Sequence, residues 1–439
     1  MKKYFFQSLL IASAISAMLI SGCSGKTIND INSAEQETTE AANTNVIQSG
    51  TPMETTVTTT EKTTSPVLTS GMTCTTRESD PSIISELLSK MTLDEKIYQM
   101  FIVTPESLTG YDGYVTQAGP LTKASIENTP VGGLICFSQN IESWQQTYDF
   151  LHTSQKYAQD SNNDIGMFFA VDEEGGSVAR VGNGLRTYNS YDMEYYGDHL
   201  EYDTVYNLGN TIGGSLSELG FNVDFAPVAD VNISPDNELG NRIFSFDAQV
   251  VSDMTANFVK GVESKGVAST LKHFPGLGAG TGNTHNGSVL IERSYEDLLY
   301  TEFVAFTGGI QAGADFVMVG HQITTASEDD LPGDLSPTVI SWLKNDLGFN
   351  GLVITDSQSM AAITENYTPA QAAVASINAG VDIILMPNDF KNAISGVQSA
   401  VSSGEITEER INESVYKILQ KKFELGLIDI PIKQTTTTK

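Results

Sequence analysis

Eight short apolar runs of strand length punctuate the chain: MFIVTP, VGGLICF, IGMFFAVDE, VDFAPVAD, VASTLKHF, ADFVMVG, GLVITD and VDIILMP. Amphipathic stretches of helical length separate most of them, and alternation of this kind points to a parallel sheet covered by helices. The runs are apolar throughout rather than at every second residue, as expected of strands buried on both faces. A doubly wound open sheet satisfies the same alternation, but eight runs fit a barrel. The polar residues favour the barrel as well. Asp172, Asp230, Lys272 with His273, His321 and Asp356 all fall at or just beyond the C-terminal ends of their runs. That end of a barrel carries the active site. The expected fold is α/β, a single (β/α)8 TIM-type barrel over residues 80–430. The helical spacing of SIISELLSKMTLDEKIYQMF opens it and ITEERINESVYKILQKKFELGL closes it.

The flanks read differently. Residues 1–22 join two lysines to an apolar run ending in small residues, the layout of an export signal. Ile20, Ser21, Gly22 and Cys23 resemble the bacterial lipobox, whose cysteine is acylated, so the expected address is the outer face of a membrane with Cys23 as the lipidated residue. Residues 23–79 are rich in Thr, Ser, Glu and Asn and poor in aromatics, a composition that reads as a disordered tether. Residues 431–439 form a polar tail. The chain has 24 basic and 54 acidic residues and a formal net charge of −30, which argues against nucleic acid and against a polybasic hold on lipid. Only Cys74 and Cys136 lie beyond Cys23. A disulfide between them is open in an oxidising compartment but not expected, and no cysteine pair has metal-ligand spacing. Neither a metal nor a cofactor is expected.

The segment richest in chemistry is LKHFPGLGAGTGNTHNG, residues 271–287, which leaves a strand at Lys272 and His273 and enters a glycine-rich loop with Asn283 and His285. The four glycines between Pro275 and Asn283, at 276, 278, 280 and 282, have neither P-loop nor dinucleotide spacing. A surface loop with an inert histidine is the plain alternative. Against it, three of the five histidines, 273, 285 and 321, fall at or just after strand ends.

Residues 85–425 resemble the barrel domain of glycoside hydrolase family 3, in its β-N-acetylglucosaminidase branch. The resemblance is carried by MTLDEKIYQMF, VGGLICFSQNI, AVDEEGGSVAR, NVDFAPVADVN, NRIFSFD, KHFPGLGAGTGNTH, LSPTVISWLKNDLGFNGLVITDSQSM and AGVDIILMP, in that order. It implies a retaining, exo-acting hydrolase that releases terminal β-linked N-acetylhexosamine from cell-wall or chitin-type oligosaccharides. Asp356 corresponds to the nucleophile. His285 corresponds to the acid/base, suited to both half-reactions by an ordinary pKa near neutrality. Asp172, Arg180, Arg242, Lys272 and His273 correspond to substrate-binding positions, and His321 is placed in the same pocket. Asp230 is equally consistent with a structural role.

Three positions depart from the family pattern. Asn283 stands where the family's Asp-Ser-His motif has its aspartate, and its amide oxygen is expected to accept a hydrogen bond from the His285 ring without adding negative charge. Leu277 and Ser177 replace a histidine and an arginine. Two further readings therefore stand beside the hydrolase: a sugar-binding lipoprotein on a decayed scaffold, and a β-N-acetylglucosaminide phosphorylase.

Overall fold

A computed structural model describes residues 81–161 and 164–428. The signal, Cys23, the tether with Cys74, and the tail lie outside the described residues. Cys136 is buried and has no disulfide partner among the described residues.

Each apolar run becomes a strand: β1 (Phe101–Val103), β2 (Gly133–Ile135), β3 (Phe168–Val171), β4 (Val223–Asp224), β5 (Ala268–Phe274), β6 (Phe316–Val319), β7 (Leu352–Thr355) and β8 (Ile384–Leu385). They neighbour one another in the order β7-β6-β5-β4-β3-β2-β1-β8, all parallel. A parallel bridge between Ile354 and Ile383 joins β7 to the start of β8 and closes the circle. The chain is thus a (β/α)8 barrel, not an open sheet. Residues of β1, β2, β3, β6 and β7 are buried throughout, which accounts for the unbroken apolar runs.

Side chains written into the sequence start the helices. Thr92 accepts from the Glu95 N–H, while the Glu95 carboxylate accepts from Thr92, a reciprocal cap for Leu93–Gln99. Asp247 caps Ala248–Glu263 in the simpler way. Gly313 and Gly380 end their helices at φ 111° and 112°, which turns the chain into β6 and β8. The helices Tyr202–Leu219 and Ala248–Glu263 touch backbone to backbone. A Cβ on Gly261 would lie 2.4 Å from the Tyr206 carbonyl oxygen, so only glycine fits.

Beyond the strands, the rim loops are fastened to each other. The Ile233 and Ser234 N–H groups, after β4, donate to the Gly278 carbonyl, after β5, at 3.2 and 2.9 Å. Val228, Leu239, Ile243, Leu277, Val289 and Ile291 make a small apolar core between these loops, separate from the main core of the barrel. Leu290–Ile291 then pairs in parallel with Ile323–Thr324, tying in the loop after β6.

Candidate active site

The C-terminal ends of the strands surround a cavity of about 340 Å³. Its most buried charges form one network. Lys272, on β5, donates to Asp172 at 2.9 Å and lies 2.6 Å from Glu174 Oε1. Arg242, on the loop after β4, grips the same Glu174 through Nε and Nη2 at 2.8 and 2.7 Å. Burial alone would raise the Glu174 pKa, but Lys272 and Arg242 outweigh it and hold it down to about 2. Both cations are held charged by the same carboxylates against the opposing effect of burial. The structure thus brings Asp172, Lys272 and Arg242 together as expected, and adds Glu174, which the sequence reading passed over. The signal was present in VDEE: side chains alternate in an extended segment, so Asp172 and Glu174 share a face and Glu173 takes the other. Glu173 indeed accepts from the Val181 and Gly182 N–H groups and the Tyr188 hydroxyl instead. Arg180 also lines the cavity, and its buried Nε has no hydrogen-bond partner among the described residues.

Asp230 is structural. Fully buried, it accepts from the His273 N–H at 2.9 Å, from His273 Nδ1 at 2.8 Å and from the Leu277 N–H at 2.5 Å. One carboxylate thereby orients the His273 ring on the cavity wall and anchors the start of the glycine-rich loop.

Asp356 follows β7 directly and lines the cavity. It does not cap the next helix, whose N-cap is Met360; its Oδ1 accepts from the Ser357 N–H at 2.7 Å. Burial pushes the Asp356 pKa up, yet the charges of His321 and His273, then the Ser357 N–H and Lys272, bring it below the ordinary carboxylate value. Arg242 is committed to Glu174.

His321 requires a correction. It is fully enclosed rather than exposed to substrate, with Nδ1 against Asp334 at 2.9 Å and Nε2 against the Ser357 carbonyl at 2.8 Å. Neither ring nitrogen is left for a sugar. Burial disfavours its charge, but Asp334 more than compensates and raises the pKa to about 9. His321 is therefore a buried cation behind the Asp356 carboxylate.

His285 sits on the exposed side of the cavity, its side chain 72% accessible. Asn283 does not meet the ring as expected. Its Oδ1 accepts from the backbone N–H of His285 at 2.8 Å, closing a local turn. The carboxylate that faces the ring belongs to Glu238, on the loop after β4, with Oε2 at 3.7 Å from His285 Nδ1. Nothing local to either segment announces that meeting, since the two residues lie on different loops. Leu277, in place of the family's histidine, is buried in the small inter-loop core, and Ser177 is exposed.

A closed (β/α)8 barrel with an ionised aspartate after β7, an accessible histidine after β5 and a cation-carboxylate network between them defines the architectural class. The chain belongs to glycosyl hydrolase family 3, whose N-terminal domain it matches over residues 92–421. It is 28% identical over 336 residues to beta-hexosaminidase A of Pseudoalteromonas piscicida, covering 71% of this chain and 56% of that protein. It is 29% identical over 353 residues to a beta-N-acetylglucosaminidase/beta-glucosidase of Cellulomonas fimi, covering 77% of this chain and 59% of that one. The chain thus spans under two thirds of the length of these two relatives. Among solved structures, a family 3 beta-N-acetylglucosaminidase of Paenibacillus sp. FPU-7 superposes with a TM-score of 0.72 at 30% identity, over 79% of this chain and 66% of that one.

Proposed function

We propose that this chain is a retaining exo-β-N-acetylhexosaminidase acting through a covalent glycosyl-enzyme. The observation that carries the reading is Asp356, a buried carboxylate kept ionised by neighbouring cations at the wall of a sugar-sized cavity. Its oxygen attacks the anomeric carbon while His285 gives a proton to the departing glycosidic oxygen. His285 then takes a proton from water, which attacks the same carbon and releases Asp356. The Asp172–Lys272–Glu174–Arg242 network offers paired donors and acceptors to the hydroxyls of the terminal sugar, in charge-assisted hydrogen bonds about twice as strong as neutral ones. Arg180 Nε supplies a further buried donor.

An aryl β-N-acetylglucosaminide, assayed with and without inorganic phosphate, tests this. The expected product is free N-acetylglucosamine of β configuration at first release, formed at the same rate in both buffers. A sugar 1-phosphate would identify a phosphorylase instead, and binding without turnover a sugar-binding protein. The natural substrate falls among cell-wall and chitin-type oligosaccharides in this reading. We also propose that Cys23 carries a lipid that holds the protein at the outer membrane face, because a lipobox-like junction precedes a long polar segment. Radioactive palmitate should label the wild type in the membrane fraction and leave Cys23→Ser unlabelled. Wild-type protein found only in the medium would refute the anchor.

A further inference from the structure

We propose that Glu238 is the carboxylate that orients the His285 imidazole and balances its charge, so that the acid/base is a pair assembled from two different loops. This rests on the reading of His285 as the acid/base. The motif around His285 supplies no local carboxylate: position 283 is an asparagine, and its oxygen accepts from the backbone N–H of His285 rather than from the ring. Glu238 is built for the task. Its side chain is only 7% exposed. Oε1 accepts from both the N–H and the hydroxyl of Thr284, at 3.0 and 2.8 Å, which leaves Oε2 to face His285 Nδ1 at 3.7 Å. That separation suits an ion pair and is one small ring movement from a hydrogen bond, and catalytic hydrogen bonds are often long before substrate binds.

The surrounding chain fixes both partners. Asn237 Oδ1 accepts from the Leu239 and Gly240 N–H groups, locking the turn that carries Glu238. Leu239 on one loop and Leu277 on the other share the small inter-loop core. On the far side, the Thr284 carbonyl accepts from the Ala362 N–H, which ties the His285 loop to the segment after Asp356. The other charged groups around His285 are accounted for. Arg242 is committed to Glu174, Asp356 is the reacting carboxylate, and Glu365, after Thr364, lies beside Gly287 rather than on the ring. A carboxylate on Nδ1 keeps the proton there in the neutral ring, leaves Nε2 to exchange a proton with substrate, and favours the imidazolium that forms.

Glu238→Gln preserves an acceptor for Thr284 and removes the charge. Relative to wild type, kcat/KM for alkyl or disaccharide substrates, whose leaving groups need protonation, should fall about tenfold or more, while activated aryl glycosides lose much less. The basic limb of the pH profile should move down, because a nearby anion no longer favours the cation. Adding Asn283→Asp to Glu238→Gln should restore part of both effects. A purely structural clamp on Thr284 would instead lower both substrate types alike with no shift of the limb, and that result overturns the proposal. His285→Ala separates the two readings. If it shows no leaving-group dependence, His285 is not the acid and both fall; if it does and Glu238→Gln does not, only the role of Glu238 falls. Nitrogen-15 spectra of the wild-type His285 ring give a test independent of how the variants fold. The neutral ring should carry its proton on Nδ1, and an Nε2–H tautomer would contradict the pairing.

Discussion

At Asp356, burial and charge pull in opposite directions, and which wins decides the chemistry. A buried carboxylate with no cationic neighbour would be protonated near neutrality and useless as a nucleophile. Here His321 is the leading opposing charge, itself kept cationic by Asp334, so Asp334, His321 and Asp356 form a relay of alternating sign. Two outcomes follow from this. Asp356→Asn should lose turnover by several orders of magnitude with an unchanged circular dichroism spectrum, and near-wild-type rates would remove Asp356 from the mechanism. His321→Gln should keep the fold and shift the acid limb of kcat/KM upward by about one unit, since the carboxylate loses its main stabilising cation. An unmoved acid limb would mean that His321 does not set the ionisation of Asp356.

At the scale of elements, the site depends on how the loops after β4 and β5 lie against each other. Gly278 is the tightest point. A Cβ there would stand 1.9 Å from the Val231 carbonyl oxygen, so a side chain must push the two loops apart. Gly278→Ala should destabilise by about 1–3 kcal/mol, the usual cost of overpacking. It should also lower kcat more than it raises KM, because His285 retreats while the Asp172–Lys272 wall stays in place. Unchanged kinetics with the expected loss of stability would show that His285 does not rely on this contact. The same contrast explains what the sequence could and could not tell. The strands were legible because a doubly covered strand needs an unbroken apolar run, and Asp356 and Lys272 were legible because they end such runs. Glu174 was within reach through the alternation in VDEE. His321 also ends a run, but periodicity gives no depth, and its burial against Asp334 depends on a loop 13 residues away. Glu238 was out of reach, because packing between loops brings it to His285 from 47 residues upstream.

At the scale of the whole molecule, the charge network ties the barrel's stability to the pH at which the site can work. The chain carries a net charge of −30, yet its cavity concentrates Arg180, Arg242, Lys272 and the cationic His321 behind it. Glu174 is the hub, joining the segment after β3 to β5 and to the loop after β4. Its folded pKa of about 2 lies below the ordinary 4.5, so the unfolded chain binds a proton first as pH falls. The stability it contributes is therefore complete above pH 4.5 and is lost as pH drops through 2. A shift of that size corresponds to about 3 kcal/mol at roughly 1.4 kcal/mol per unit. Asp356, also depressed, acts in the same direction. The buried carboxyls raised by their surroundings, Glu173, Asp224, Glu263, Glu302 and Asp315, act in the opposite direction as the unfolded chain titrates through the ordinary carboxylate range, and their effect cancels in the difference between wild type and a Glu174 variant. Glu174→Gln should cost about 3–5 kcal/mol at pH 7, because Lys272 and Arg242 lose a buried partner. In denaturant titrations, the gap between wild type and this variant should narrow steadily from pH 4.5 to pH 2. A gap that stays constant over that range would show that Glu174 ionises alike in the folded and unfolded chain, and that the network does not hold the barrel mouth together.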